Sequence, residues 1–324
     1  MIVKRLGAIA LAVILIGGAW LVRDRVIDDG GGGSSGDDDQ PRSGREIVCV
    51  SDLRDACLAL AETFDLVVQI EDASVTLDAL ADPDNEADPP IWITMAPFPA
   101  MVDDLRVIGR LPPLETTQTP IVSSPIALVV PVDRAEVLAA HCGPPLQWDC
   151  VGEAAGELWD EIGGDEVSGD VRPAFAPIDT ALGLLGVADA VSGYFGARPI
   201  QLDDLDFGRW ASRLAEAVPA SARTGGSAIV TIQTRASALD IAVGAAAELS
   251  DTAAGRFTRQ YADPMIRADV VVAVPEGTSL PSGLTDELVR ILGARGWDAA
   301  SIDANPLPSA REMFAIREAW KVFL

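Results

Sequence analysis

One histidine, two lysines and two tyrosines serve a chain of 324 residues. Histidine most often carries protons or binds metal near neutral pH, so its scarcity removes much of acid-base and metal chemistry. The single copy, His141, sits beside Cys142; adjacent side chains do not usually aim at each other, and no Cys/His dyad is expected. Phosphate-binding signatures are missing as well: there is no G-x-x-x-x-G-K-[ST] string, and no G-x-G-x-x-G follows a strand. A G-x-S-x-G string does occur at Gly32 to Gly36, without the strand and helix that a serine-hydrolase elbow requires. None of the four cysteines forms a C-x-x-C pair, which removes the usual four-cysteine zinc site. No metal or other cofactor is expected. Acidic pairs for glycoside hydrolysis stay open, because their geometry is invisible in sequence, but the balance is against an enzyme.

Basic charge is also scarce, with 24 Lys and Arg against 49 Asp and Glu and a net charge of −25. The first 26 residues hold four of the basic side chains and one acidic one, leaving 20 basic and 48 acidic in the remainder. So acidic a body should not bind nucleic acid or anionic lipid non-specifically. Few lysines beside many Arg, Ala, Asp, Gly and Val fit high-GC coding, with adaptation to high salt as the alternative.

Long apolar runs are absent except at the start. Lys4 and Arg5 precede Leu6 to Val22, 17 residues without a charge, and Arg23, Asp24 and Arg25 follow. That length suits a short membrane-spanning helix or the core of a signal peptide. No Cys follows to carry a lipid, and the small-residue stretch Gly17 to Ala19 lies inside the run, so residues 1–26 read as an uncleaved anchor ahead of a cleaved signal. Undiluted positive charge at the N-terminus keeps that end in the cytoplasm and exports the rest. Residues 27–45, rich in Gly, Ser and Asp, bury too little apolar surface to offset ordering and read as a flexible acidic linker. Cys49, Cys57, Cys142 and Cys150 all fall in the exported part, where disulfides form. Three connectivities are possible, and local pairing, 49 with 57 and 142 with 150, is the simplest.

From Glu46 the pattern alternates strand, helix, strand, helix, strand: 46–50, 53–64, 66–70, 73–80 and 91–94. Such alternation signals parallel β/α units, with Ser51 or Asp52 placed to cap the first helix. Ligands gather at the carboxyl ends of such strands, here Ser51, Thr94 and the Ser123-Ser124 pair. Residues 119–133 read as two apolar strand halves broken at Pro125 and stopped at Pro131; proline cannot donate to a ladder, so each marks a change of partner or an end. Further on, helices are expected at 133–140 with Asp133 as cap, 153–162, 181–194 and 203–217. A strand is expected at 228–232, a helix at 241–249, a buried strand at 269–274, and helices at 284–292 and 310–324.

The Ile126 to Pro131 string, the serine-bearing turn at Ser51 and the strand Pro90-Ile91-Trp92-Ile93-Thr94 resemble extracellular solute-binding proteins of the periplasmic-binding type II class. The likeness implies a two-lobed α/β fold, tethered here by one N-terminal transmembrane helix. Lobe 1 would be residues 46–126 and 255–324, and lobe 2 residues 127–254. Closure would be about strands near 119–133 and 255–275. Thr180, with Asp179 as cap or contact, would open a helix facing the cleft. The string Thr234 to Val243 resembles solute-binding proteins encoded with von Willebrand A modules, and that likeness implies that Arg235 and Ser237 face the cleft. Together with Ser123 and Ser124, Arg235 would then hold an oxyanion by charge-assisted and hydroxyl hydrogen bonds. The apolar Met95 to Pro99 stretch argues against a strongly polar ligand. Two functions follow. One is a single-pass, membrane-tethered extracellular binder that captures a small molecule for a membrane transporter or for sensing. The other is a non-catalytic cell-surface module whose vestigial cleft leaves it to bind a protein partner.

Overall fold

The computed structural model describes residues 46–323, apart from 86–87, 118, 166–167, 197, 254 and 299–305. The expected anchor, 1–26, and linker, 27–45, lie outside the described residues. Among the described residues no helix is long and apolar enough to cross a membrane.

The chain opens with β1 (Glu46–Val50), α1 (Arg54–Phe64), β2 (Val67–Glu71), α2 (Ala73–Ala81), β3 (Ile91–Met95), α3 (Phe98–Gly109) and β4 (Leu114–Thr116). Strand β1 lies between β2 and β3, parallel to both. Its central position explains its near-continuous apolar sequence, since a parallel strand covered by helices is buried on both faces. The Cys49–Cys57 disulfide ties β1 to α1 across the intervening turn. Next comes β5 (Val122–Pro131), the longest strand of the fold. After it run α4 (Val132–Cys142), α5 (Trp148–Ala154), β6 (Pro173–Ala174), α6 (Ala181–Phe195), α7 (Leu205–Ala217), α8 (Ala220–Arg223), α9 (Ala228–Thr234) and β7 (Ile241–Ala245). The Cys142–Cys150 disulfide closes the loop between α4 and α5. Finally β8 (Phe257–Gln260), β9 (Arg267–Pro275), α10 (Leu284–Gly293) and α11 (Ala310–Phe323) complete the order.

The sheet order is β2-β1-β3-β9-β5-β7-β6, with β4 on β9 and β8 on β5. Strand β5 changes partner in its middle. Val122 to Pro125 pair with β9, whereas Ile126 to Val129 pair with β7 and Leu128 to Pro131 with β8. Pro125 stands at the exchange, where its missing N–H costs no ladder bond to the second set of partners. The chain returns through residues 261–266, between β8 and β9, so two segments join the halves. At the second, the fully buried Asp189 of α6 accepts from the Trp148 indole nitrogen at 2.8 Å and from the backbone N–H of Ile266 at 3.4 Å.

Helix α11 lies across both halves, packing on α3 of the first and on α6 and α7 of the second. Trp320 meets the ring of Phe175 edge-on at 5.5 Å, Lys321 pairs with Asp179 at 3.3 Å and Arg317 with Asp78 at 3.5 Å. Around Trp148 the second half packs without spare space. Gly152 faces the Trp210 indole so closely that a Cβ there has no room.

Four expectations of local structure are corrected. The helix read at 153–162 is α5, which starts at Trp148 and stops at Ala154; Gly156, with φ of 79°, turns the chain, and Trp159 is buried from an irregular segment. The strand read at 228–232 is a helix and the helix read at 241–249 begins as a strand. β-branched residues make 228–232 look extended, but Ala228, Ile229 and Ile232 are buried while Val230 is exposed, a helical spacing. Ile241 to Ala245 are all buried, as a strand between two neighbours must be. Short apolar runs carry this ambiguity. Last, Asp133 lies in the first turn of α4 and makes no capping bond; Pro131 holds the N-cap position.

Candidate functional site

Register decides which loops meet at the exchange point. Strand β7 is antiparallel to β5, with Ala245 opposite Ile126 and Ala242 opposite Val129, so its carboxyl end arrives beside Pro125 and its start lies far off. Strand β6 runs parallel to β7 and delivers residues 175–180 to the same place. From the first half, the Ser51–Leu53 turn after β1 and the segment after α10 arrive opposite. Between them is a cavity of about 1250 Å³, lined by Ser51 to Ala56, Asp72, Ser124, Pro125, Leu292 and 294–298 on one side. Ala176, Pro177, Thr180, 224–227 and 246–251, with Arg259 and Tyr261, form the other. It exceeds the roughly 300–1,000 Å³ of an ordinary ligand pocket, so an occupant would share it with water.

Two helix N-termini face this space. At α6 the Thr180 hydroxyl accepts from Gly183 N at 3.0 Å, and the Asp52 carboxylate accepts from Ala181 N at 2.9 Å and Leu182 N at 3.4 Å. Asp52 therefore caps a helix more than a hundred residues away in sequence and not, as expected, the helix that follows it; the turn at 51–53 has no side-chain cap. At α9 the Ser227 hydroxyl accepts from Val230 N at 3.2 Å. Burial pushes the Asp52 carboxyl up to about 6, against the pull of the two amide bonds, and Asp72 adds repulsion. Glu248 is pushed up to about 7, first by burial and further by the charge of Asp52, while a bond with Ser227 opposes the rise. Its Oε2 accepts from Ala245 N at 3.2 Å, and a Cβ at Gly244 would press on that oxygen, so that a side chain there would shift the carboxylate. Gln233 holds the 246–250 loop, donating to Glu248 O at 2.9 Å and accepting from Ser250 N at 3.0 Å.

Of the residues singled out from the sequence, Ser51, Ser124 and Thr180 line the cavity. The Ser51 hydroxyl donates to Asp72 at 2.5 Å, and the Ser124 hydroxyl accepts from Ala247 N at 3.1 Å. Ser123 points away: it is buried and donates to Asp269 at 2.5 Å. Thr94 is fully buried inside β3 and is not on the cavity wall. Arg235 and Ser237 are exposed at the far end of β7 and do not line the cavity. The expected oxyanion set is thus not assembled, because 235–240 leads into the start of a strand whose other end faces the cleft.

What that stretch does supply is Asp240. Fully buried, it pairs with Arg134 and with Arg172, whose Nε lies 3.1 Å away and whose backbone N–H donates to it at 2.8 Å. Glu248, Ser227 and the 246–250 loop escaped the sequence reading. The Gly225-Gly226-Ser227 turn ahead of an apolar run was their available signal, a helix N-cap. Among the described residues the one cluster of metal-ligand type is His141 with Cys142 and Cys150, and its two sulfurs are joined to each other.

No protein-family model and no curated protein sequence matches the chain. Its fold is found in solved structures. A periplasmic thiamin-binding protein superposes with a TM-score of 0.54 at 10% identity, over 90% of this chain and 98% of its own. A GABA receptor, Atu4243, gives 0.49 at 13% identity over 86% and 97%, and the Pasteurella haemolytica apo ferric-ion-binding protein A gives 0.48 at 10% over 86% and 96%. The first of these shows the class of architecture, the two-lobed α/β fold of periplasmic solute-binding proteins. At such identity it shows the fold alone.

Proposed function

We propose that the chain is a non-catalytic solute-binding protein that captures a small molecule between its lobes for transport or sensing. The observation that supports this best is the cavity at the strand exchange, where polar groups of both lobes converge. An apolar, sealed seam would have favoured a protein-binding module instead. The reading extends to residues 1–26 as an uncleaved membrane anchor with the body outside the cell, next to a transporter or another surface protein. Fractionation tests that part: the full chain is expected with the membranes and a form starting at residue 27 in the soluble fraction.

Capture is tested by thermal shift of the full chain against amines, amino acids, organic acids, oxyanions and sugars. A ligand at about 100 times its dissociation constant stabilises by about 2.7 kcal/mol. Gly226 borders the cavity with nothing within 4 Å of where a Cβ would stand. Gly226→Trp should therefore put an indole into the cleft, weaken a saturable shift at least tenfold in ligand concentration and leave the unliganded melting temperature within about 2 °C, because surface changes away from packed features cost little. A shift that survives this substitution unweakened would place binding elsewhere.

A further inference from the structure

Resting on the solute-capture reading, we propose that the cleft selects a small organic cation, held between the Asp52 carboxylate of the first lobe and the Glu248 carboxylate of the second. The natural seats for an anion in such a cavity are helix N-termini, where free N–H groups converge. At α6 that seat is taken by the protein's own Asp52, and at the start of α9 the Ser227 hydroxyl is the cap, with Glu248 setting a negative charge beside it. Asp52 accepts from Ala181 N and Leu182 N at the start of α6, and Glu248 is bonded to Ser227, the cap of α9. A ligand carboxylate or phosphate would have to displace Asp52 from α6 or stand against Glu248.

The remaining charges agree. Asp52, Asp55, Asp72, Glu248, Asp251 and Asp298 line the space, against three arginines. Two of the three are committed to carbonyls: Arg259 donates to Leu249 O at 2.9 Å and Ala246 O at 3.3 Å, and Arg295 to Ile291 O at 3.3 Å and Asp55 O at 3.5 Å. Arg54 lies exposed on the lining. Asp52 and Glu248 stand on opposite lobes and repel, as the upward push of Asp52 on Glu248 records. A cation between them turns that repulsion into an attraction that joins the lobes. A bare metal ion fits less well, because among the described residues no three carboxylates bring oxygens within 4.8 Å of one another. An organic cation can reach both groups, and the lining also includes Tyr261 and Trp297, side chains of the aromatic type that attracts ammonium.

The test is calorimetric titration of the full chain with choline, putrescine and agmatine, beside acetate, succinate, sulfate, glucose, MgCl₂ and CaCl₂. At least one of the three amines is expected to bind saturably, the other probes not, and Glu248→Gln and Asp52→Asn should each weaken that binding at least tenfold. Asp52→Ala opens the N-terminus of α6, and acetate is expected to bind this variant and not the wild type. Binding of an acid, sulfate or glucose without any amine overturns the cation assignment and leaves solute capture standing. Binding of a metal ion alone overturns the organic class. Amine binding indifferent to both carboxylate substitutions overturns the placement, acetate binding to neither form overturns the resident-anion role of Asp52, and silence from every probe overturns capture itself.

Discussion

Asp240→Ala is expected to lower the stability of the protein by roughly 3–5 kcal/mol, the usual cost of removing one partner from a buried ion pair. Asp240 has no exposed surface and is the shared acceptor of Arg134 and Arg172. Those arginines come from α4 and from the residue before β6, so one carboxylate fastens a helix and an edge strand to the start of β7. Truncation leaves two part-buried guanidiniums facing the space the carboxylate filled. Urea unfolding followed by tryptophan fluorescence reads the effect as a fall in midpoint at unchanged slope. A loss under about 1 kcal/mol would mean that both arginines find other acceptors, which ordinary surface substitutions resemble.

The second large effect is on pH. Burial raises the Asp189 carboxyl from 3.8 to about 7, with the Trp148 indole and the Ile266 amide pulling the other way. The folded state therefore holds this proton more tightly than the unfolded chain. Its contribution to stability is complete below about pH 4 and is lost as pH rises through 7, on the order of 4 kcal/mol for a shift of this size. Asp52 and Glu248 are raised as well and act in the same direction. Melting temperature should thus fall from pH 5 to pH 8, and Asp189→Asn should flatten that fall whatever it does to the temperature itself. An unchanged slope in the variant would show that the charge of Asp189 is met by water or by groups other than Trp148 and Ile266.

The parallel units at the start were legible because each element there obeys its own period: β1 and β3 are continuous apolar runs and α1 is amphipathic. Pro125 and Pro131 also carried their message, since a missing donor constrains a ladder wherever it falls and the partner exchange and strand end coincide with them. The stretch 228–245 was misread because Ile and Val in runs of five serve a buried strand and a short helix alike; only the neighbours, Ile126 to Val129 and Pro173, decide. The site was less legible than the fold for a related reason. Ser51, Ser124 and Thr180 follow from strand ends, a local rule. Asp52 reaching α6 depends on which halves face each other, and Glu248 reaching Ser227 on how the loop after β7 folds back on α9; no spacing along the chain encodes either. Arg235 was expected in the cleft from the resemblance of the Thr234 to Val243 string, but the helix expected at 241–249 begins as a strand, which puts Arg235 at the opposite end from the cleft.

Helix α11 has a consequence for how fast and how tightly any occupant is held. A receptor whose binding-competent form is rarely populated loses affinity in proportion to that fraction. Here Trp320 against Phe175 and Lys321 against Asp179 join the C-terminal helix to the second lobe while α3 holds it to the first. The two lobes are thus brought together before an occupant arrives. Little of the binding energy is then diverted into closing, and retention is governed by how often the last fourteen described residues, Ala310 to Phe323, let go. On the solute-capture proposal, release would depend on this helix as well as on the groups that line the cleft.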